Sequence, residues 1–261
     1  MLEEPVPTDL DAVLRSFRTA GYARLGRVLR DDAARSLGAR AEALMLADAP
    51  LPGLFFQPEP ASRDYADVEF GRGWIGPTLA YRKLERLELD PLFAAWIENP
   101  LFAELARRAL GDAVSLYRSV LWNKGPDGGM AVPWHQDDGR FWGLDRPPSL
   151  QVWTALDDAP AEAGCLEVVP GSHLGGLATP EGGTLTGALV DEADARALAL
   201  PAVRGECILV HNHLWHRTGV NRTGAPRKAL SVSFLDASTR CTRRKRAARS
   251  FRPVFRGEPT G

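Results

Sequence analysis

The chain has 261 residues, a formal net charge of −1, 44% hydrophobic residues and 25% charged residues. That composition is ordinary for a globular protein and excludes fibrous and disordered classes, while the length suits one domain with a substantial core. No apolar run reaches the roughly 20 residues of a membrane helix, and three widely spaced cysteines without a Cys-x-x-Cys pair exclude zinc-ribbon and dithiol redox motifs.

The charge is unevenly spread. Eight Lys or Arg and one Glu fall between Arg240 and Gly261, about +7 locally, so the other 239 residues carry about −8. The start, Met-Leu-Glu-Glu-Pro-Val-Pro, has neither the basic residues nor the apolar stretch of a secretory leader. With so few cysteines, a reducing cytoplasm is the expected compartment.

In chain order, the first 110 residues read as helical and irregular. Leu10, Val13, Leu14 and Phe17 have helical spacing, with Thr8 as the predicted N-cap. Residues 30–46, rich in Ala, Leu and Arg, predict a second helix. Residues 90–110 predict two short helices broken at Pro100 and stopped at Gly111. Between them, residues 51–81 are rich in Pro, Gly and aromatics, either a binding loop or a plug over a β-core.

The second half reads as short strands: residues 113–123, 150–156, 165–169, 206–210 and 229–235, with Gly- and Pro-rich turns between them. Leu230-Ser231-Val232-Ser233-Phe234 alternates cleanly. Residues 175–187 read as loop and residues 192–200 as a short helix. This pattern predicts a mainly β fold with flanking helices, a sandwich, barrel or jelly roll.

His135-Gln136-Asp137 carries the chemistry. On a strand, residues two apart share a face, so His135 and Asp137 supply two thirds of a 2-His-1-carboxylate triad for Fe(II). The chain has five histidines, and three of them lie in Val-His-Asn-His-Leu-Trp-His, residues 210–216. His216 is followed by Arg217-Thr218-Gly219-Val220-Asn221 and, eleven residues on, by Arg227. A hairpin would bring that guanidinium beside the His216 strand, where it suits a carboxylate, with Thr218 adding a hydroxyl. His173, in Pro-Gly-Ser-His, reads as a turn brace, His211 and His213 as supporting groups, and Asp138 as facing away from Asp137. Cys165 and Cys207 read as core thiols.

These motifs, together with Trp-Thr-Ala-Leu-Asp-Asp, Gly-Cys-Leu and Pro-Arg-Lys-Ala, resemble the phytanoyl-CoA dioxygenase family in order and spacing from about Leu121 to Phe234. The resemblance implies a double-stranded β-helix (jelly roll, cupin-like) that uses Fe(II), 2-oxoglutarate and O₂. It implies that His135, Asp137 and His216 bind iron, that Arg227 with Thr218 anchors the co-substrate, and that Trp153, Ser119 and Val120 line its pocket. It aligns Lys83 with a lysine that reaches the co-substrate in some members, and it places Phe141 and Trp142 where the family often has aromatics near the substrate. Halogenating relatives carry a small residue in place of the acid, so Asp137 favours hydroxylation.

The expectation is therefore a single oxygenase domain over residues 1–261. It comprises a helical flank at 1–110, a jelly-roll core at 111–239 and a basic extension at 240–261. The expected reaction is hydroxylation of an unactivated C–H in a small organic molecule, a secondary metabolite or acyl thioester, with release of succinate and CO₂. Desaturation, epoxidation or ring formation at the same iron is the alternative, and a non-catalytic metal-binding jelly roll is the alternative of another class. No nucleic acid or membrane partner is expected, although the basic tail suits an anionic substrate. Oligomeric state is not legible.

Overall fold

The computed structural model describes residue 1 and residues 9–126, 128–243 and 248–256, without the side chains of Phe141 and Arg256. Helix α1 (Leu10–Ala20) is capped by Asp9, whose carboxylate accepts from the Ala12 amide at 2.7 Å, and it ends at Gly21 in the left-handed region. The expected cap, Thr8, lies outside the described residues. Strand β1 (Tyr22–Arg27) follows, then α2 (Asp31–Met45), β2 (Phe55–Pro58) and β3 (Tyr81–Glu85). Two helices come next, α3 (Pro91–Ile97) and α4 (Pro100–Leu110). Asp90 and Asn99 cap them, and each has proline in its first turn, where no amide donor is needed.

The second half supplies β4 (Ala113–Lys124), β5 (Val132–Gln136), β6 (Leu150–Ala155), β7 (Leu166–Val168) and β8 (Gly183–Thr184). After these come α5 (Ala188–Ala195), β9 (Leu198–Leu200), β10 (Glu206–Val210), β11 (His216–Thr218), β12 (Arg227–Asp236) and β13 (Arg252–Arg256). The strands form two antiparallel sheets, as a jelly roll requires. The larger runs β1-β10-β6-β12-β4-β3-β2, with β13 also on β4, and the smaller runs β8-β5-β11-β7-β9.

Alternation along the central strands decides what each face meets. Leu230, Val232 and Phe234 of β12, with Leu121 of β4 and Val152 of β6, pack against the helices in the largest core cluster. Ala229 turns inward, into the cluster that includes Trp153 of β6 and Leu166 and Val168 of β7. Helices α1 to α4 thus cover the outer face of the large sheet, and the space between the sheets is left for the site. Trp96, Phe102 and Phe234 join helix to sheet through edge-on contacts, with ring centroids 4.9 Å and 6.5 Å apart.

Two expectations need correction, and one open alternative is resolved. The first 110 residues are not only helical, since β1, β2 and β3 complete the large sheet and β13 of the basic extension pairs with β4. The boundaries at 111 and 239 therefore do not bound the β-core. These strands are short, so their alternation spans too few residues to stand out as a period-2 signal. The short helix is α5, which ends at Ala195, and β9 replaces its expected second half. Residues 51–81 divide their aromatics. Phe56 packs on Trp74 and Tyr81 at 4.8 and 5.0 Å, plugging the core, while Tyr65 and Phe70 line a cavity.

Phe102 is fully buried between Trp96 and Phe234. Phe102→Ala is expected to destabilise the fold by about 3–5 kcal/mol. Urea unfolding followed by circular dichroism checks this, and a loss under about 1 kcal/mol, the scale of a tolerated surface change, would show that α4 does not anchor the sheet.

Candidate functional site

Strands β5 and β11 are neighbours, and their register sets His135 directly opposite His216. The two imidazole centroids are 4.0 Å apart. Asp137 lies just beyond the end of β5, where its amide donates to the Asn212 carbonyl at 2.8 Å. Its carboxylate oxygens sit 4.0 Å from His135 Nε2 and 3.7 Å from His216 Nε2. These three side chains form the metal-ligating group found among the described residues, with their donor atoms all within 4.8 Å of one another.

The second nitrogen of each ring is already committed. His135 Nδ1 contacts the Pro133 carbonyl and His216 Nδ1 the Leu214 carbonyl, both at 2.8 Å. A carbonyl can only accept, so each Nδ1 carries a proton and each Nε2 is the atom left to face a metal. Burial is the main force holding His135 down, to about 4, and His216 adds to it, so the ring is neutral near pH 7. Burial alone would raise the pKa of Asp137, but Arg118 and the two imidazoles outweigh it and hold the carboxyl well below its usual range. Arg118 Nη2 donates to Asp137 Oδ1 at 2.8 Å, and Gln151 Nε2 reaches Oδ2 at 3.4 Å. Two imidazoles that present Nε2 and one ionised carboxylate suit a divalent transition metal.

A narrow inner cavity runs from this group to Arg227, past Trp153, Thr218 and Ser231. Arg227, the first residue of β12, is 1% exposed. It donates from Nη2 to the Gly164 carbonyl at 2.7 Å, and more weakly from Nε to the Ala163 carbonyl. Its Nη1 and the Thr218 hydroxyl are buried with no hydrogen-bond partner among the described residues. Such groups are costly to leave unpaired, so the cavity is built for a ligand rich in acceptors. Burial lowers the Arg227 guanidinium to about 10, which leaves it cationic at neutral pH.

The turns around Arg227 explain two motif residues. Gly164 has φ +68°, and a Cβ there would meet the Gly219 carbonyl oxygen at 2.2 Å, so only glycine lets these loops touch. Asn221 is fully buried, and its side chain donates to the Gly125 and Ala225 carbonyls and accepts from Thr223. It braces the turn that delivers Arg227.

Other expected residues lie elsewhere. Ser119 faces the helices, and its hydroxyl donates to Glu88 Oε2 at 2.6 Å. Val120 is buried on the inner face, yet it is not part of the cavity wall. Adjacent strand residues point to opposite sides, so the two could never have lined one pocket together. Lys83 pairs with Glu85 at 2.5 Å and belongs to a wider outer cavity, not to the inner one. Arg82 and Lys124 contribute the basic groups of the inner cavity instead. Trp142 lines the outer cavity, in a 3-10 turn (Arg140–Trp142), while the Phe141 side chain lies outside the described residues. His173 meets the Arg18 carbonyl at 3.0 Å, away from the triad, and Asp138 pairs with His213 Nε2 at 2.8 Å.

Sequence reasoning missed Arg118 and Arg82. Both depend on β-bulges. A bulge at Tyr117 puts Tyr117 and Arg118 together on the cavity side, and one at Arg82 brings it over the same Trp122 ring as Lys83. No local pattern announces such a bulge.

The family model described as phytanoyl-CoA dioxygenase matches residues 17–229. Among curated proteins, the chain is similar to phytanoyl-CoA dioxygenase domain-containing protein 1 of Bos taurus, with 29% identity over 159 residues, covering 58% of this chain and 55% of that one. The chain thus spans about half the length of the curated relatives it matches. Among solved structures, EctD from S. alaskensis with 2-oxoglutarate and 5-hydroxyectoine has a TM-score of 0.73 at 23% identity, covering 99% of this chain and 90% of that one. The epimerase SnoN in complex with Fe3+, alpha ketoglutarate and nogalamycin RO has a TM-score of 0.71 at 21% identity, covering 98% and 97%. At these identities the likeness to solved structures establishes the shared fold.

Burial also holds His211 down, to about 3, with His173 and His213 adding to it. An unfolded histidine takes its proton near pH 6.5, so from about pH 6.5 to 4 the unfolded chain binds more protons than the folded one. Stability of the metal-free protein is therefore expected to fall as pH drops through that window. Urea midpoints at pH 7, 6, 5 and 4 measure it, and His211→Asn is expected to flatten the profile. A profile flat from pH 7 to 4 contradicts neutral burial of His135 and His211.

Proposed function

The chain belongs to the phytanoyl-CoA dioxygenase family, and from that premise we propose that it is an Fe(II)- and 2-oxoglutarate-dependent oxygenase that hydroxylates an unactivated C–H bond of a small organic molecule. One observation carries this reading: a three-ligand metal group and an unsatisfied buried arginine lie on the same cavity. A protein that only stored a metal would have no need of the second.

His135 and His216 would hold the metal through Nε2 and Asp137 through its carboxylate. Iron, 2-oxoglutarate and O₂ together supply the oxidising power, with succinate and CO₂ as by-products. Arg227 and Thr218 would receive a carboxylate of the co-substrate on Nη1 and Oγ1, the donors that lack partners. Arg118 and Gln151 hold the two oxygens of Asp137, which fixes the carboxylate and keeps it charged. Trp153 and Leu166 wall the inner cavity with apolar surface and limit water there. The acid at position 137 supports hydroxylation over halogenation. The 2-oxoglutarate and hydroxylated ligand in the EctD structure support the co-substrate and the reaction class.

Asp137→Ala is expected to weaken Fe(II) binding by at least about a hundredfold and to remove succinate formation. Anaerobic Fe(II) titration and succinate release read the two effects, and retained tight binding would dismiss the triad. Arg227→Ala is expected to raise the 2-oxoglutarate requirement by roughly 30-fold or more, because a buried charge contact is lost. An unchanged requirement would reassign the anchor. With a substrate in hand, mass spectrometry should show one oxygen atom added, and a product without it would reject hydroxylation.

A further inference from the structure

Beyond the metal group, the outer cavity encloses about 500 Å³ and is lined by five basic and two acidic side chains. Both acids are engaged. Glu85 pairs with Lys83 at 2.5 Å, and Asp137 belongs to the metal group, with Arg118 on its Oδ1. Arg249 makes no close ion pair among the described residues, and Glu85 acts on it only at longer range. Its Nη2 donates to the Tyr117 hydroxyl at 2.9 Å and to the Trp142 carbonyl at 3.0 Å. No acceptor among the described residues meets the Nη1 or Nε of Arg249 or of Arg118, and both Nε atoms are buried.

The two guanidiniums share one aromatic frame. Tyr117 and Trp142 stack with centroids 4.8 Å apart, Arg249 lies 4.8 Å from the Tyr117 ring, and Arg118 lies 4.5 Å from the Trp142 ring. Cation–π contact with the rings holds both cations in place before any ligand arrives. Strand β13 begins at Arg252 and anchors the segment that carries Arg249 to β4. A positive surplus in a half-enclosed cavity is unfavourable unless an anion offsets it. Tyr65 and Phe70, in edge-on contact at 6.2 Å, add aromatic surface to the same cavity.

We propose that the primary substrate is an organic anion, a carboxylate or phosphate ester on an apolar or aromatic body, whose anionic group is seated by Arg249 and Arg118. The body lies against the aromatic wall and so brings a C–H bond toward the triad. The basic C-terminal segment thereby becomes part of the substrate site. This deepens the oxygenase reading and rests on it for the reaction, but not for the binding.

The test is calorimetric titration of the full chain, metal-free and with 2-oxoglutarate present. The probes are phenylacetate, 3-phenylpropanoate, their methyl esters and phenyl phosphate. At least one anion is expected to bind about tenfold or more tightly than the uncharged esters. Ranking the carboxylates against the phosphate identifies the group preferred. In Arg249→Gln the acid-to-ester ratio is expected to fall to about threefold or less, with Arg249→Lys between the two. Equal binding of acid and ester by the parent protein overturns the proposal without any variant. So does an unchanged ratio in Arg249→Gln, or no anion binding at all. Anion selectivity without Fe(II)-dependent succinate formation would remove the oxygenase reading and leave the anion seat. The reverse would remove the seat alone.

Discussion

The site depends on one backbone register, the pairing of His135 with His216 across β5 and β11. A slip of one residue would turn one imidazole to the other face of the small sheet and disperse the ligands. Several contacts pin that register. Both histidines tie their Nδ1 to a carbonyl two residues back, and β11 is held on its other side by β7. Gln136, alternating away from His135, donates to the Gly176 and His213 carbonyls and accepts from Ala178, so the same tripeptide also anchors the neighbouring loops. The ligand-bearing strand end is thus rigid before any metal arrives.

The large sheet has the complementary task. Its outer face is apolar and covered by helices, so its inner face can afford polar and charged groups. On β12 the apolar residues Leu230, Val232 and Phe234 carry the packing, while Ser231 faces the cavity and Arg227 starts the strand. Stability and chemistry are separated by the pleat of a single strand.

The electrostatics are graded from the inside outward. Arg227 is nearly fully buried at the inner cavity, where an acceptor-rich ligand would satisfy its unpaired Nη1, while Lys124, also buried there, already donates to the Met130 carbonyl. Arg118 links the two cavities, holding Asp137 on one side and stacking on Trp142 on the other. Arg249 comes from the C-terminal segment, and Arg243 of the same segment lines the outer cavity with it. The basic C-terminal run therefore contributes half-buried charge to the cavity wall. Its Arg244, Lys245 and Arg246 lie outside the described residues.

The sequence by itself picked out the residues that meet at the site. His135, Asp137, His216 and Arg227 were legible because their residue types and spacings on a strand and a hairpin place them together, and the structure brings all four onto one cavity. The five core strands were legible because alternation and turn residues are local signals. Only the tertiary structure decided the rest. It showed that β1, β2, β3 and β13 complete the sheet, since short strands take their identity from the partners they pair with. It moved Ser119 to the helix face and Lys83 to the outer cavity. It also brought Arg82, Arg118 and Arg249 to the site, through two β-bulges and a strand contributed from the far end of the chain. Those placements follow from contacts between residues distant in sequence, which no local pattern encodes.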